Sequence, residues 1–312
     1  MANPRAFRFG VQAHTAKDGE EWATLARKVE DLGYSTMFVP DHFGEQLAPI
    51  PAMTAAADAT TTLRVGTLVH DNDYKHPVVL AKELASIDVL SGGRLEFGLG
   101  AGWLTTDYEQ SGIPKDRDGV RISRMEEAIA VYKGLFAPGP FSFTGKHYTI
   151  ARLDGLPKPV QQPHPPMLIG AGGPRMLRIA ARHADIVGIN PSLSAGAVTP
   201  EVAADALATR IDEKLAIVRD AACDRFDAIE LNVLVFICLI TDDRRGLAEG
   251  MAPGFGLPPE DVMDIPYAWF GTIPEICDQV RAARERWGIS YWVLQGDVYE
   301  AMAPVVAELA GT

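Results

Sequence analysis

The feature that most constrains the fold is an alternation of eight short apolar segments with longer segments of helical periodicity. Several apolar segments are rich in β-branched residues without regular polar alternation, which is typical of strands buried on both faces. The predicted strands are Phe7–Gln12, Thr36–Pro40, Leu63–Val69, Arg94–Gly98, Pro166–Gly170, Ile186–Ile189, Glu230–Ile240 and Ser290–Leu294. The predicted helices are Glu20–Leu32, Pro77–Leu90, Ser123–Phe136, Pro174–His183, Pro200–Ala221, Ile273–Trp287 and Tyr299–Ala310. Such an alternation without a linker predicts one α/β domain over residues 1–312, a closed (β/α)8 TIM barrel, with an open doubly wound sheet as the alternative.

Two long segments interrupt this alternation, and both follow predicted strands. Thr105–Pro165 comes after the fourth strand and combines one helix with a stretch rich in proline and glycine. Thr241–Thr272 comes after the seventh strand and is rich in the same two residues. Loops that follow barrel strands gather at the face where ligands bind. We therefore predict that these insertions form walls or lids over a pocket, with passive surface insertion as the alternative.

Charge and composition disfavour several classes of function. The 312 residues carry a formal net charge of −12, and an acidic surface repels the phosphates of nucleic acids. The first residues lack the apolar core of a signal peptide, and no apolar run reaches the roughly 18 residues that span a bilayer. The three cysteines form no CxxC pair, so neither a disulfide framework nor a zinc site is indicated. We expect a cytoplasmic protein that acts on a small molecule, without a metal and without a membrane or nucleic-acid partner.

The first candidate for catalysis is the segment Pro40-Asp41-His42-Phe43, at the end of the second predicted strand. The carboxyl end of a barrel strand points into the ligand-binding mouth, and an imidazole there suits proton transfer because it titrates near neutral pH. We predict that His42 is an acid/base and that Asp41 hydrogen-bonds a cofactor or orients its neighbour. A helix-capping aspartate beside a packed histidine is the alternative.

A second group of polar residues closes the third strand. The segment Thr67-Leu68-Val69-His70-Asp71 is followed by Asn72 and Asp73. His70 and the two aspartates crowd one strand end, where they are either substrate contacts or part of a solvated loop.

Two glycine-rich turns also follow predicted strands. Gly98-Leu99-Gly100-Ala101-Gly102-Trp103 removes side chains at alternate positions, where a ligand would lie against the backbone. Its spacing differs from GxGxxG and no short βαβ unit with an acidic residue follows, so we exclude a Rossmann dinucleotide site. Gly170-Ala171-Gly172-Gly173-Pro174-Arg175 opens a helix, and the free N–H groups at a helix start favour a phosphate. A tight βα turn without a ligand is the alternative.

Taken together, these segments resemble the luciferase-like flavin and deazaflavin oxidoreductases. The motifs that carry the resemblance are Pro40-Asp41-His42-Phe43, Val65-Gly66-Thr67, His76-Pro77, Leu90-Ser91-Gly92-Gly93-Arg94, Gly98–Trp103, Asp107-Tyr108 and Gly170–Pro174. Within that superfamily the chain is most similar to the actinobacterial F420-dependent oxidoreductases. The resemblance implies a barrel with coenzyme F420 at its mouth, where the deazaflavin C5 carbon exchanges hydride with a small organic substrate.

The resemblance also implies roles for single residues. Asp41 and His42 would lie beside the reactive edge of the ring, and a non-proline cis peptide at Leu68–Val69 would support its face. The remaining implied cofactor contacts are Ala101, Gly102 and Trp103 to the ring or ribityl chain, and Gly172, Gly173 and Pro174 to the phosphate. The predicted cofactor site further includes Thr67, Gly170 and Ala171.

The segment His70-Asp71-Asn72-Asp73 departs from the family, whose third strand continues with apolar residues. This departure makes His70 a second candidate acid/base and leaves the substrate open. An FMN-dependent monooxygenase that works with a separate reductase is the alternative function, and a catalytically silent flavin-binding barrel is a third. Because family members often pair, we also expect a homodimer whose interface uses helices from the first half of the chain.

Overall fold

The computed structural model describes residues 5–197 and 200–312. Its strands are β1 (Arg8–Gln12), β2 (Thr36–Val39), β3 (Arg64–Thr67), β4 (His70–Asp71), β5 (Leu95–Gly100), β6 (Phe141–Thr144), β7 (Thr149–Leu153), β8 (Met167–Ala171), β9 (Ile186–Ile189), β10 (Glu230–Val235), β11 (Ile237–Ile240), β12 (Ala268–Gly271) and β13 (Ile289–Gln295). Its helices are α1 (Gly19–Asp31), α2 (Pro49–Ala59), α3 (Pro77–Leu90), α4 (Thr105–Ser111), α5 (Asp118–Phe136), α6 (Pro174–His183), α7 (Pro200–Asp205), α8 (Ala208–Ala222), α9 (Arg244–Phe255), α10 (Pro259–Met263), α11 (Ile273–Trp287) and α12 (Tyr299–Leu309). Across these residues, none of the helices combines the length and the apolar character needed to cross a membrane.

One parallel sheet carries the fold. Its strands lie in the order β3-β2-β1-β13-β10-β9-β8-β5-β4, and β3 also pairs with β5, which closes the sheet. Both β3 and β4 pair with β5, so they are two parts of one interrupted strand and the closed sheet has eight strand positions. The predicted (β/α)8 barrel is thereby confirmed, and the open doubly wound sheet is excluded.

Packing divides the chain into two compact units, of which the first consists of Val29–Thr36, Gly170–Thr312 and the described residues up to Ala13. At its centre β13 pairs in parallel with β1 and β10. Phe9 and Val233 each lie opposite Trp292 in these pairs, and all three side chains are buried. The assignment of residues 1–312 to one domain stays a prediction.

Two predicted elements of this first unit are divided in the structure. The single strand Glu230–Ile240 is wrong, because the chain changes partners at Phe236. The Phe236 N–H donates to the Tyr267 carbonyl at 2.8 Å, and β11 then pairs with β12 in a separate parallel sheet. The single helix Pro200–Ala221 is also wrong, because Leu207 has an extended backbone (φ −61°, ψ 150°) between α7 and α8.

The second unit consists of His14–Lys28 and Met37–Ile169. Helix α5 packs an aromatic cluster against β5, in which the rings of Phe97, Tyr132 and Phe136 have centroids 5.8–6.4 Å apart. The insertion Thr105–Pro165 contains α4, α5 and the antiparallel hairpin β6–β7. Helix α2 is an element that the sequence analysis does not predict. The elements that follow β2, β4 and β5 in this unit supply the polar side chains of the candidate site.

Candidate active site

His42, just beyond β2, pairs with Asp107 in the first turn of α4. The imidazole Nδ1 donates to Oδ2 of the Asp107 carboxylate at 2.6 Å. The Tyr74 hydroxyl donates to the same oxygen at 3.0 Å, and the Phe43 N–H donates to Oδ1 at 3.4 Å. Because a carboxylate only accepts hydrogen bonds, Nδ1 carries the proton and Nε2 is left for a ligand.

Burial and packing hold this pair in one arrangement. The side chain of Asp107 is 7% exposed, whereas that of His42 is 24% exposed. The His42 ring lies edge-on to Trp103, with centroids 5.7 Å apart. Burial and the neighbouring carboxylates of Asp71 and Asp107 raise the pKa of Tyr74, so its hydroxyl remains a donor. The arrangement can therefore exchange a proton through one oriented imidazole nitrogen.

A second histidine–aspartate pair lies at β4. The His70 Nδ1 donates to Oδ2 of Asp41 at 3.2 Å, and the Asp71 N–H donates to the same oxygen at 3.2 Å. The His70 side chain is 2% exposed, and its Nε2 has no hydrogen-bond partner among the described residues. The Oδ1 atom of Asn72, two residues on, is likewise buried without a partner in that part of the chain. Both unpartnered atoms are acceptors, because the His70 proton lies on Nδ1.

Two further carboxylates share one tyrosine hydroxyl. The Tyr108 hydroxyl lies 2.8 Å from Oδ2 of Asp71 and 3.1 Å from Oδ2 of Asp73. Burial raises the pKa of Asp71 to about 6; a hydrogen bond from the Asp73 N–H opposes the shift, and the Asp73 carboxylate adds to it. Arg124 compensates Asp73, since its Nε donates to Oδ1 at 2.8 Å. This cluster therefore holds one carboxyl group whose pKa lies well above its ordinary value.

An arginine from α5 fixes the backbone of the Ala101–Trp103 segment. The Arg121 Nη1 donates to the carbonyl of Ala101 at 2.7 Å and to that of Gly102 at 2.5 Å. Gly102 has a φ of +74°, and a Cβ there would lie 1.9 Å from the Tyr108 hydroxyl and 2.3 Å from Oδ2 of Asp71. Glycine at position 102 is thus required both by its backbone conformation and by these neighbours.

The structure corrects the interpretation of the first glycine motif. Gly98 and Gly100 belong to β5 rather than to a turn after it. A Cβ at Gly98 would lie 2.1 Å from the Thr67 carbonyl oxygen, and one at Gly100 would lie 2.8 Å from the Val69 side chain. These glycines therefore permit close approach of the interrupted strand rather than of a ligand. The Leu68–Val69 peptide is cis, as the resemblance implies, and the Thr67 hydroxyl is occupied by the backbone of Gly98 at 3.0 and 3.1 Å.

The second glycine motif, Gly170–Pro174, lies at the start of α6. Its first two residues belong to β8, and Gly173 and Pro174 are the N-cap and the first residue of the helix. A Cβ at Gly172 would lie 2.6 Å from the Pro191 carbonyl oxygen, whereas one at Gly173 would meet nothing within 4 Å. Among the residues that the structure describes, no side chain caps the helix start. Space and backbone N–H groups for an anion are therefore present there.

Several residues of this site escape the sequence analysis. They are Tyr74, Asp107, Tyr108, Arg121 and Arg124. The Asp107-Tyr108 dipeptide belongs to a motif of the resemblance, but nothing in the sequence assigns it to His42. Among the predicted residues, the structure brings Asp41 to His70 and His42 to Trp103. The described part of the chain holds no group of three or more histidine, cysteine, aspartate or glutamate side chains placed to bind a metal ion.

The amino-acid sequence matches the sequence model of a known protein family. The sequence model of the family described as luciferase-like monooxygenase matches residues 6–249. The chain belongs to the luciferase-like monooxygenase family. The resemblance seen in the sequence motifs is thereby confirmed.

Two relatives illustrate the sequence similarity within this family. An uncharacterized protein of Sinorhizobium fredii, y4wF, is 30% identical over 201 residues, which cover 61% of this chain and 58% of that protein. The 5,10-methylenetetrahydromethanopterin reductase of Methanopyrus kandleri is 27% identical over 196 residues, or 59% of this chain and 55% of the reductase. The matched region thus spans less than two thirds of the length of both proteins.

Solved structures share the fold of this luciferase-like protein over nearly the whole chain. The coenzyme F420-dependent tetrahydromethanopterin reductase of Methanopyrus kandleri has a TM-score of 0.77 at 18% identity, covering 98% of this chain and 99% of its own. An F420-dependent secondary alcohol dehydrogenase in complex with an F420–acetone adduct has a TM-score of 0.73 at 18% identity, covering 98% of both chains. A riboflavin lyase with modified FMN has a TM-score of 0.75 at 15% identity, covering 98% of this chain and 93% of its own.

Proposed function

We propose that this luciferase-like protein is an F420-dependent oxidoreductase that transfers hydride between the deazaflavin and a small organic substrate. The observation that carries the proposal is the pairing of His42 with Asp107. Hydride transfer at a carbon that bears a hydroxyl, or into a polarised double bond, needs one group that takes up or supplies a proton. His42 offers a single oriented nitrogen for that purpose.

The charges around His42 favour proton exchange at its imidazole. When His42 Nε2 takes up a proton, the imidazolium is stabilised by the Asp107 carboxylate at 2.6 Å. The Tyr74 hydroxyl and the Phe43 N–H both donate to that carboxylate and hold it in place beside the imidazole. Bound F420 would supply the carbon that accepts or donates the hydride.

Three features fit a flavin-type cofactor. The backbone around Ala101 and Trp103 is half-buried and held by Arg121, so it offers a fixed surface for a ring or ribityl chain. The buried acceptors His70 Nε2 and Asn72 Oδ1 are without donors among the described residues, as expected if a ligand supplies hydrogen-bond donors to the site. The open start of α6 at Gly173 suits the phosphate. The F420-dependent neighbours support the choice of a deazaflavin.

Cofactor titration tests this proposal directly. We expect micromolar or tighter binding of F420, on the order of 1 μM, and weaker binding of FMN. Gly173→Asp places a carboxylate at the helix start and should weaken F420 binding about tenfold or more, because it repels the phosphate. Gly173→Asn is the matched control, since it caps the helix comparably without the charge. Equal F420 affinity of the two variants would contradict the phosphate assignment.

The alternative functions give different results in the same experiment. Tight FMN binding without F420 binding, followed by absorbance spectroscopy of the complex, would favour an FMN-dependent monooxygenase. Cofactor binding without turnover in a broad substrate screen would favour a silent flavin-binding barrel. The pairing of His42 with Asp107 argues against the latter, because a binding protein needs no proton-exchanging group.

We also propose that the protein forms a homodimer through α2 and α3. The outer face of α3 exposes Val79, Val89 and Leu90, which are 52%, 42% and 73% exposed. Leu90 and Pro51 line a groove of about 530 Å³ between α2 and α3. Light scattering should give about twice the chain mass of 33.7 kDa. Leu90→Glu should shift the protein to the monomer, whereas Leu153→Glu, an exposed control on β7, should not.

A further inference from the structure

A cavity of about 160 Å³ lies wholly within the first unit and includes none of the candidate active-site residues. Three tryptophans line it: Trp269 of β12, Trp287 of α11 and Trp292 of β13. The small side chains of Ala282 and Ala283 on α11 also line it. A cavity of about 150 Å³ with apolar walls holds one benzene ring. The size and lining therefore suit a single aromatic ring.

Two N–H groups of this cavity lining are buried without acceptors. Trp292 is 1% exposed, and its Nε1 has no hydrogen-bond partner in residues 5–197 and 200–312. Arg244 Nε is also buried without a partner there, although its Nη2 donates to the Met263 carbonyl at 2.8 Å. A buried donor without an acceptor bears its full desolvation cost. Both donors belong to residues that line the cavity, so an acceptor bound there would satisfy them.

Two arginines, Arg244 and Arg286, line the cavity, and they differ in whether a carboxylate is paired with them. Arg286 is already paired with Asp212 at 2.5 Å, and Trp287 Nε1 donates to the same carboxylate at 2.7 Å. Asp264 also lines the cavity, but it forms no ion pair with Arg244 in the described residues. Hydrogen bonds from Thr272 and, to a smaller extent, the charge of Arg244 lower the pKa of the Glu275 carboxyl. Within residues 5–197 and 200–312, Arg244 is nevertheless the lining cation that is not held in an ion pair, so it can receive an anionic group. A carboxylate makes shorter and stronger hydrogen bonds to a guanidinium than a neutral carbonyl does.

We infer that this cavity is a second binding site, for a small aromatic carboxylate. The ring lies among Trp269, Trp287 and Trp292, whose faces and edges favour another aromatic ring. The carboxylate accepts from Arg244 Nε and Trp292 Nε1. The site is independent of the proposed hydride-transfer function, because it shares no residue with that site.

Titration with benzoate, followed by tryptophan fluorescence and calorimetry, tests this inference on the full chain. The wild type should bind one benzoate with a dissociation constant of about 1 mM or lower. Arg244→Met and Trp292→Phe should each raise that constant about tenfold or more, because each removes one donor to a charged acceptor. Arg245→Met is the matched control on the next residue of α9; Arg245 is 82% exposed, pairs with Glu249 and does not line the cavity. Its affinity should equal that of the wild type.

A further variant blocks the cavity without removing either hydrogen-bond donor. Ala282 is exposed at the cavity rim, so Ala282→Leu should fill the entrance, keep both donors and abolish binding. Benzyl alcohol, of the same size but neutral, should bind about tenfold more weakly than benzoate. The inference is overturned if the wild type shows no saturable binding, or if Arg244→Met, Trp292→Phe and Ala282→Leu all retain it. Loss of binding in His42→Ala alone would assign benzoate to the active site and also overturn it.

Discussion

Two strand ends of the second unit carry the same pair of side chains in different surroundings. Beyond β2, His42 is 24% exposed and donates to Asp107 at 2.6 Å. At β4, His70 is 2% exposed and donates to Asp41 at 3.2 Å. The first pair is braced by a tyrosine hydroxyl and a backbone N–H on its carboxylate. In the second pair the carboxylate instead accepts the N–H of Asp71.

The comparison teaches that a histidine and an aspartate do not define an acid/base by themselves. Proton exchange needs a nitrogen that a substrate can reach and a partner that stabilises the charged form. His42 meets both conditions. His70 meets the second, but its Nε2 is buried without a partner among the described residues, so we expect it to hold the strand end rather than to transfer a proton.

The largest expected effect is a difference in turnover between variants of the two histidines. His42→Ala should lower turnover by about 10²–10⁴-fold with KM little changed, because it removes the proton-exchanging group while leaving a half-exposed site. His70→Ala should lower turnover by less than about tenfold after correction for the folded fraction, since it leaves the proposed proton-exchanging group, His42, in place. Steady-state kinetics of both variants, beside cofactor titrations, measure this difference. The reverse ranking would move the acid/base role to β4.

A smaller difference is expected between variants of the two aspartates, one in kcat and the other in cofactor binding. Asp107→Asn should lower kcat about tenfold or more, because the amide no longer stabilises a protonated His42. Asp41→Asn should instead mainly weaken cofactor binding, since Asp41 orients His70 and the Asp71 backbone. The ¹⁵N spectrum of the imidazoles provides a readout without substrate: the Nδ1–H form of His42 should predominate in the wild type. Unchanged kcat in Asp107→Asn would show that the pair at β2 is structural.

The smallest expected effect concerns Asp71, whose backbone N–H joins the pair at β4. Its raised pKa of about 6 means that the folded protein retains a proton which the unfolded chain has already released. Stability therefore falls as pH rises from about pH 4 to pH 6 and beyond, until both states are ionised. Between about pH 5 and pH 7.5 the wild type should lose about 1–2 kcal/mol of unfolding free energy relative to Asp71→Asn. Urea unfolding of both proteins measures this, and a difference independent of pH would contradict it.

The barrel was predictable because its strands are buried on both faces and therefore appear as continuous apolar segments. All eight predicted strand segments overlap a strand of the closed sheet. Helix α2 was not predictable in the same way, because its alanine-rich sequence has no distinct polar face and its N-cap, Ala48, offers no capping side chain. The partner change at Phe236 depends on Tyr267, far along the chain, so local sequence carries no sign of it.

The candidate site was predictable only as a set of strand ends. Asp41, His42 and His70 follow predicted strands, and barrel geometry directs such residues to one end of their strands. Asp107 lies 65 residues from His42, within an insertion whose path no periodicity determines. Which histidine is paired with which aspartate is therefore a property of the tertiary structure.

One consequence of Gly102 concerns how this protein could be re-engineered. Any side chain there would overlap the Tyr108 hydroxyl and the Asp71 carboxylate, so single substitutions at this position should be lost from a randomised library irrespective of the selection applied. Diversity at Ala101 and Trp103 should be tolerated more readily, as both are half-buried. Productive changes at position 102 are expected only when positions 71 and 108 are randomised with it, which makes these three positions one unit of library design.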